Sequence, residues 1–262
     1  MYEMQEQDSP LVTSLDDFWP PSGVTASRQR DSDRPQHRRR DKSLTRGEIV
    51  KTAVDLADSE GAAAVNMRRI AKELGAGAMS LYWYVADKDQ LLDLMLDVIE
   101  GESKIAKLTG DWRSDFRRIA VQRRRALLGH PWAVEFMSGR DQLGPNALLL
   151  VEQSLSVFDG LNLDTRTALH ILMTIDTYVT GSVLNELREI RVEETRANSG
   201  VGNDDFAPGL KAWIGRLRES GMFTHVVRVF EEGIDPDSSE TRDVRFEFGL
   251  DCVLDGVAVH LR

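Results

Sequence analysis

Apolar positions recur every three to four residues through most of the chain after residue 44, and no such period precedes it. Ile49, Ala53, Leu56 and Ala57 form the first stripe. Thr45 and Glu48 fit a capping box ahead of it, and Gly61 is placed to stop the helix. Residues 66–85 then predict two short helices joined by a tight turn. Asn66 caps the first, Ile70, Ala71 and Leu74 line one face, and Gly75 follows the last periodic residue. After Ala76 and Gly77, residues 79–85 predict a second helix that Leu81 and Val85, four apart, hold to the core. Ser80, Tyr82, Trp83 and Tyr84 then have an outward component. Packing alone does not explain so many exposed aromatic and hydroxyl groups on so short a helix, whereas a helix-turn-helix presents such a face to the DNA major groove. A second capping pattern, Asp87 to Gln90, opens a fourth helix with a stripe of Leu91, Met95, Val98 and Ile99.

The rest of the chain also reads as helix, so the fold class is all-α: a small helix-turn-helix domain over 45–100 and a larger helical domain over 101–262. Residues 111–128 carry Phe116, Ile119, Ala120 and Leu127 on one face, with Arg117, Arg118, Arg123, Arg124 and Arg125 as a solvated or salt-bridged face. Pro145 opens a helix with Leu148, Leu149, Val151, Leu155 and Phe158 along it. Residues 165–194 form a long helix with Leu169, Leu172, Met173, Asp176, Val179, Val183 and Leu187. Residues 197–210 predict a mobile loop, 210–219 a short helix, and 243–261 a last helix through Phe246, Leu250, Val253, Leu254 and Val257.

Composition narrows the function. The 262 residues carry a net charge of −10, which argues against coating nucleic acid with the whole surface but leaves room for a local basic face. Residues 1–44 predict disorder, with acids segregated into 1–27 and bases into 28–51 around Arg38, Arg39 and Arg40, which suits either an arm along phosphates or a solvated linker. Phe18, Trp19, Pro20 and Pro21 form an apolar island there. Cys252 is the one cysteine, so a disulfide framework and a cysteine metal site are excluded, and its apolar helix predicts an inert core thiol. The five histidines make no metal-ligand spacing and no Gly-rich phosphate loop follows a strand, so no enzyme, metal or cofactor is expected. No apolar run nears the roughly 18 residues of a membrane span, and a reducing cytoplasm is the default compartment.

Residues 45–100 resemble the DNA-binding domain of the tetracycline-repressor (TetR) family of transcription regulators. The likeness rests on the first helix, the run from Met67 to Gly75, the run Leu81, Tyr82, Trp83, Tyr84, Val85, and Lys88, Asp89, Gln90, Leu91, Leu92. It continues into the C-terminal half at Trp112 and Arg113, His130 to Trp132, Gly144 to Asn146, Gly181 to Leu184, and Phe246 to Leu250. The resemblance implies that Thr45, Tyr82 and Lys88 meet phosphates, that Arg68 reaches a base edge or phosphate, and that Ala78, Met79, Ser80, Trp83 and Tyr84 sit where bases are read. Ala78 and Met79 stand where the tetracycline repressor has Gln and Pro, so its operator is not expected, and apolar contact with thymine methyls is.

The family also implies a homodimer through two long helices, and reading a palindromic duplex operator requires paired recognition helices one DNA turn, ~34–36 Å, apart. A ligand pocket for an unidentified small-molecule effector is expected among His130, Trp132, Phe136, Met137, Asn146, His170, Met173, Asp176, Tyr178 and Trp213. No His lies around 134–139 and Asn185 stands where a Glu is wanted, so magnesium-tetracycline is not the expected effector. The function implied is a repressor released from its operator by a ligand; the alternative is an architectural or co-regulatory DNA-binding protein that needs none.

Overall fold

The computed structural model describes residues 44–137, 140, 143–199, 203–235 and 238–261. The described residues form helices and turns, with no strand among them. No described helix is long and apolar enough to cross a membrane. The basic run at Arg38 to Arg40, the island at Phe18 to Pro21 and almost all of the predicted disordered extension lie outside the described residues. Two compact units divide the chain, Met1–Leu172 and Met173–Arg262.

In the first unit, α1 (Arg46–Glu60) begins in the predicted capping box: the Glu48 N–H donates to Thr45 Oγ1 at 3.1 Å and the Thr45 N–H to Glu48 Oε2 at 3.0 Å. Gly61, at φ +81°, ends it. The predicted Asn66 cap of α2 (Met67–Glu73) forms too, its Oδ1 accepting the Arg69 N–H at 3.0 Å. Gly75, at φ +63°, makes the turn. The next helix is shorter than 79–85 predicts: α3 spans Ala78–Leu81, and the chain continues as turns in which the N–H groups of Tyr84 and Val85 both donate to Leu81 O. Ile49, Ala53, Val65, Ile70, Leu81, Val85, Leu91 and Met95 form a fully buried core beneath these turns.

Helix α4 (Lys88–Glu102) packs against α1 and also against α5 (Trp112–Gly129), α6 (Pro131–Met137) and α7 (Pro145–Ser156). Its buried side departs from the predicted stripe. Val98 is exposed, while Asp97 and Glu100 are buried. The reason is polar pairing: Glu100 meets Arg123 of α5, and that arginine is buried rather than on a solvated face. Asp97 caps α7, as described below. Along α7 the buried residues are Pro145, Ala147, Leu150 and Ser154, while Leu148, Leu149 and Val151 are exposed. Four consecutive apolar residues, 148–151, cover a full helical turn, so the pattern cannot select the inward one.

Helix α8 (Thr165–Ser199) runs five residues beyond its predicted end. Its buried stripe is Ala168, Ile171, Ile175, Val179 and Val183: Val179 and Val183 are buried as predicted, while in the first half of the helix Leu169 and Met173 are exposed and Ala168, Ile171 and Ile175 face inward instead. In the second unit the helix α9 (Asn203–Ser220) replaces most of the predicted 197–210 loop, of which 200–202 lie outside the described residues. α10 (Thr224–Glu231), which the sequence reading lacks, packs on α9 with Trp213 against Phe230. α11 (Arg242–His260) buries Phe246, Leu250, Leu254 and Val257 as predicted. Cys252 is exposed, against the expectation of a core thiol. It stands two residues from both Leu250 and Leu254, roughly 200° round the helix from each.

Candidate nucleic-acid interface

The local sequence of α3 sorts its side chains sharply. Leu81 and Val85 are fully buried, and they are the nails that hold the turn to the core. Met79 is 77% exposed, Trp83 80% and Tyr82 47%. Ser80 is exposed, and Ala78 and Tyr84 are half-buried. Large apolar groups left in water on a four-residue helix and the turn that follows it mark a contact surface. Arg46 steadies the turn from α1, its Nε donating to Tyr84 O at 3.1 Å.

The cations of this region divide by partner. Arg69 is spent on Glu60 at 2.7 Å and Glu73 at 3.0 Å, and Lys51 on Asp55 at 2.6 Å. Arg68 and Lys88 are exposed, with no ion pair among the described residues. Lys72 is likewise exposed and, four residues after Arg68, shares its face of α2. Lys72 is a residue the sequence reading passed over, and the same i, i+4 spacing on α2 was the available signal. Thr45 is exposed at the N-terminus of α1, with its hydroxyl engaged in the capping box.

The expected ligand residues do not behave as one group. In the first unit, His130 Nδ1 and Trp132 Nε1 both lie 2.7 Å from Asp58 Oδ1 of α1, and His130 Nε2 is 3.3 Å from Glu102 of α4. Asn146 donates its N–H and Nδ2 to the Asp97 carboxylate, each at 2.9 Å, and its Oδ1 accepts from Lys104 Nζ at 2.9 Å. These three residues are ties between α1 or α4 and the later helices of the unit. Phe136 and Met137 are half-buried on α6 and its end, and His170 is exposed.

In the second unit Met173 is 57% and Trp213 42% exposed, while Asp176 and Tyr178 are half-buried. Tyr178 lines a groove of about 660 Å³ between α8 and α11, with Ser182, Asn185, Arg188, Glu189, Arg242 and Arg245. Its hydroxyl donates to Phe246 O at 2.6 Å and lies so close to Gly249 that a side chain there would overlap it. Glu189, buried, is held by Arg245 at 2.6 Å and Arg242 at 3.3 Å, and the hydrogen bond from Arg245 keeps its carboxyl below the usual range. No group of His, Cys, Asp and Glu among the described residues is arranged to hold a metal ion.

Comparison with known proteins matches this arrangement. The family of bacterial regulatory proteins called tetR matches residues 49–95, and the tetracyclin repressor-like C-terminal domain matches residues 106–261. The HTH-type transcriptional repressor DrrR1 of Streptomyces coeruleorubidus is 32% identical over 219 residues, covering 83% of this chain and 78% of the relative. An HTH-type transcriptional regulator of Saccharopolyspora erythraea is 39% identical over 155 residues, covering 58% of this chain and 66% of the relative. The solved structure of the TetR family protein ActR of Streptomyces coelicolor in complex with actinorhodin is similar at a TM-score of 0.65 and 28% identity, covering 84% of this chain and 99% of that one.

Proposed function

The chain belongs to the tetracycline-repressor family of bacterial regulatory proteins, and from that premise we propose how it works as a ligand-responsive, DNA-binding repressor. Residues 45–100 are its DNA-reading domain and 101–262 its ligand and dimer domain, a division supported by the family matches at 49–95 and 106–261. Ala78, Met79, Ser80, Trp83 and Tyr84 face base edges, and the apolar pair at 78 and 79 suits thymine methyls. Thr45, Tyr82 and Lys88 meet phosphates, joined by Arg68 and Lys72. The carrying observation is the contrast between exposed Met79, Tyr82 and Trp83 and fully buried Leu81 and Val85 on one turn.

Two copies set their recognition helices ~34–36 Å apart on a palindrome. The likeness to ActR, solved with actinorhodin, supports a small organic effector. Such an effector shifts the repressor only by its different affinity for the DNA-bound and released arrangements. The bonds from α4 to α5 and α7, with its packing on α6, are the route by which that difference reaches the reading helices. The protein acts in the cytoplasm and has no catalytic role.

The test is a footprint of purified protein on the DNA flanking its own gene, repeated with Tyr82→Ala. A protected palindrome is expected, with affinity falling roughly 10-fold to 100-fold in the variant. Loss of that order without loss of helicity fits, because Tyr82 is 47% exposed and holds no core position. Failure of wild-type protein to protect this DNA and to select any duplex from a random pool would sink the reading.

A further inference from the structure

Helix α4 carries Asp89, Asp93 and Asp97 at successive four-residue steps, so the three carboxylates share one stripe. The helix itself has one base, Lys88, so these charges are met from outside it. Arg140, between α6 and α7, meets two of them: Nη2 lies 2.7 Å from Asp89 Oδ1 and Nη1 lies 2.8 Å from Asp93 Oδ1. The third is met by the first turn of α7, where Asp97 Oδ1 accepts the N–H groups of Asn146 at 2.9 Å and Ala147 at 3.0 Å. The Arg140 side chain is about three-quarters buried, at 26% exposure, and Asp93 is similarly covered at 29%. A guanidinium is a rigid fork, so satisfying two carboxylates one turn apart sets both the height and the roll of α4. Asp89 is the neighbour of Lys88, the residue taken above as a phosphate contact. Arg140 therefore holds the DNA end of α4, while the α7 turn holds its middle.

We propose that Arg140 is a positioning residue for operator binding: it fixes the attitude of α4, and with it the separation of the paired recognition helices, so that it selects half-site spacing. The inference rests on the regulator reading above. An operator is first selected from a random duplex pool with the wild-type protein. Affinities are then measured for that operator and for versions with one base pair added or removed between half-sites, using Arg140→Ala, Arg140→Lys, Asp93→Asn and the Arg140→Ala/Asp93→Asn pair. The wild type should discriminate between spacings. Arg140→Ala should cut that discrimination at least about five-fold, the lower end of ordinary coupling between sites. Arg140→Lys should recover it only in part, because a point charge does not hold both carboxylates. The double variant should be no worse than Arg140→Ala, since both changes break one contact. Equal loss on every spacing, with a shallower salt dependence, would make Arg140 a charge contributor and overturn the positioning role; unchanged discrimination would overturn it too. If the wild type selects no duplex, the regulator reading fails first and takes this proposal with it.

Discussion

Asp115 shows how much one side chain holds in place ahead of α5. Its side chain is 1% exposed. The carboxylate accepts the Thr109 N–H at 2.9 Å, the Thr109 hydroxyl at 3.0 Å, the Gly110 N–H at 3.1 Å and Arg118 Nη1 at 3.2 Å. Burial pushes its pKa up, but those bonds outweigh burial and hold it below the ordinary 3.8. A carboxyl depressed in the fold contributes stability that is present above its unfolded value and lost as pH falls through the folded one. Asp97 has the opposite sign. Burial wins there over the N–H bonds from Ala147 and Asn146, so its pKa is raised and acid relieves a cost rather than removing a gain. Asp115→Asn should cost about 2–4 kcal/mol at pH 7, because an amide turns a donor toward the Thr109 and Gly110 N–H groups. Urea unfolding at pH 7 and near pH 3 checks it: the gap between wild type and variant should shrink in acid, and an equal gap at both would disprove the linkage. Nothing in the sequence distinguishes Asp115 from Asp111 four residues earlier, since only the folded loop at Thr109 and Gly110 selects between them.

Among elements, α4 and α7 meet in a close joint. Gly144 precedes α7, and a Cβ on it would overlap the Asp97 carboxyl. The glycine is there for close approach, since its φ of −70° is open to any residue. Gly144→Ala should therefore cost about 1–3 kcal/mol by forcing α4 and α7 apart. Gly129→Ala, where nothing lies within 4 Å, should be neutral or slightly stabilising. Thermal melts of the two variants check the contrast, and similar melting temperatures would show that the joint yields without cost. The beginnings of α1, α2 and α7 were legible because caps and Pro145 act within three residues of themselves. The turn aromatics were legible because Leu81 and Val85 are spaced as one face. The ties were not legible. The bonds of His130 and Trp132 could not be read ahead because their partner, Asp58, lies more than seventy positions away in sequence. Arg123 takes the salt-bridged option of its predicted face, but its burial was not legible, since it is tolerable inside only with Glu100 of another helix.

At the scale of the whole molecule, one face of α11 is left uncovered by the described residues. Val244, Phe248 and Val259 are 68%, 72% and 63% exposed, and exposed Cys252 continues the same stripe at four-residue spacing. The opposite face, Phe246, Leu250, Leu254 and Val257, is core. A helix apolar on both sides also explains why sequence periodicity misjudged the first half of α8, whose Leu169 and Met173 are exposed beside a buried Ala168 and Ile175. One side packs within the chain and the other is free for a second copy, and a periodic stripe does not label which is which. Phe248→Asp would set a charge in the middle of the α11 stripe without touching the core. It should yield a monomer by light scattering at micromolar concentration, with helicity retained. Operator affinity should then fall about 100-fold or more, because each reading head loses the advantage of being tethered to the other. A duplex carrying a single half-site should bind variant and wild type alike. A Phe248→Asp protein that stays dimeric would move the interface off α11, and a monomer with full operator affinity would break the link between dimer and palindrome.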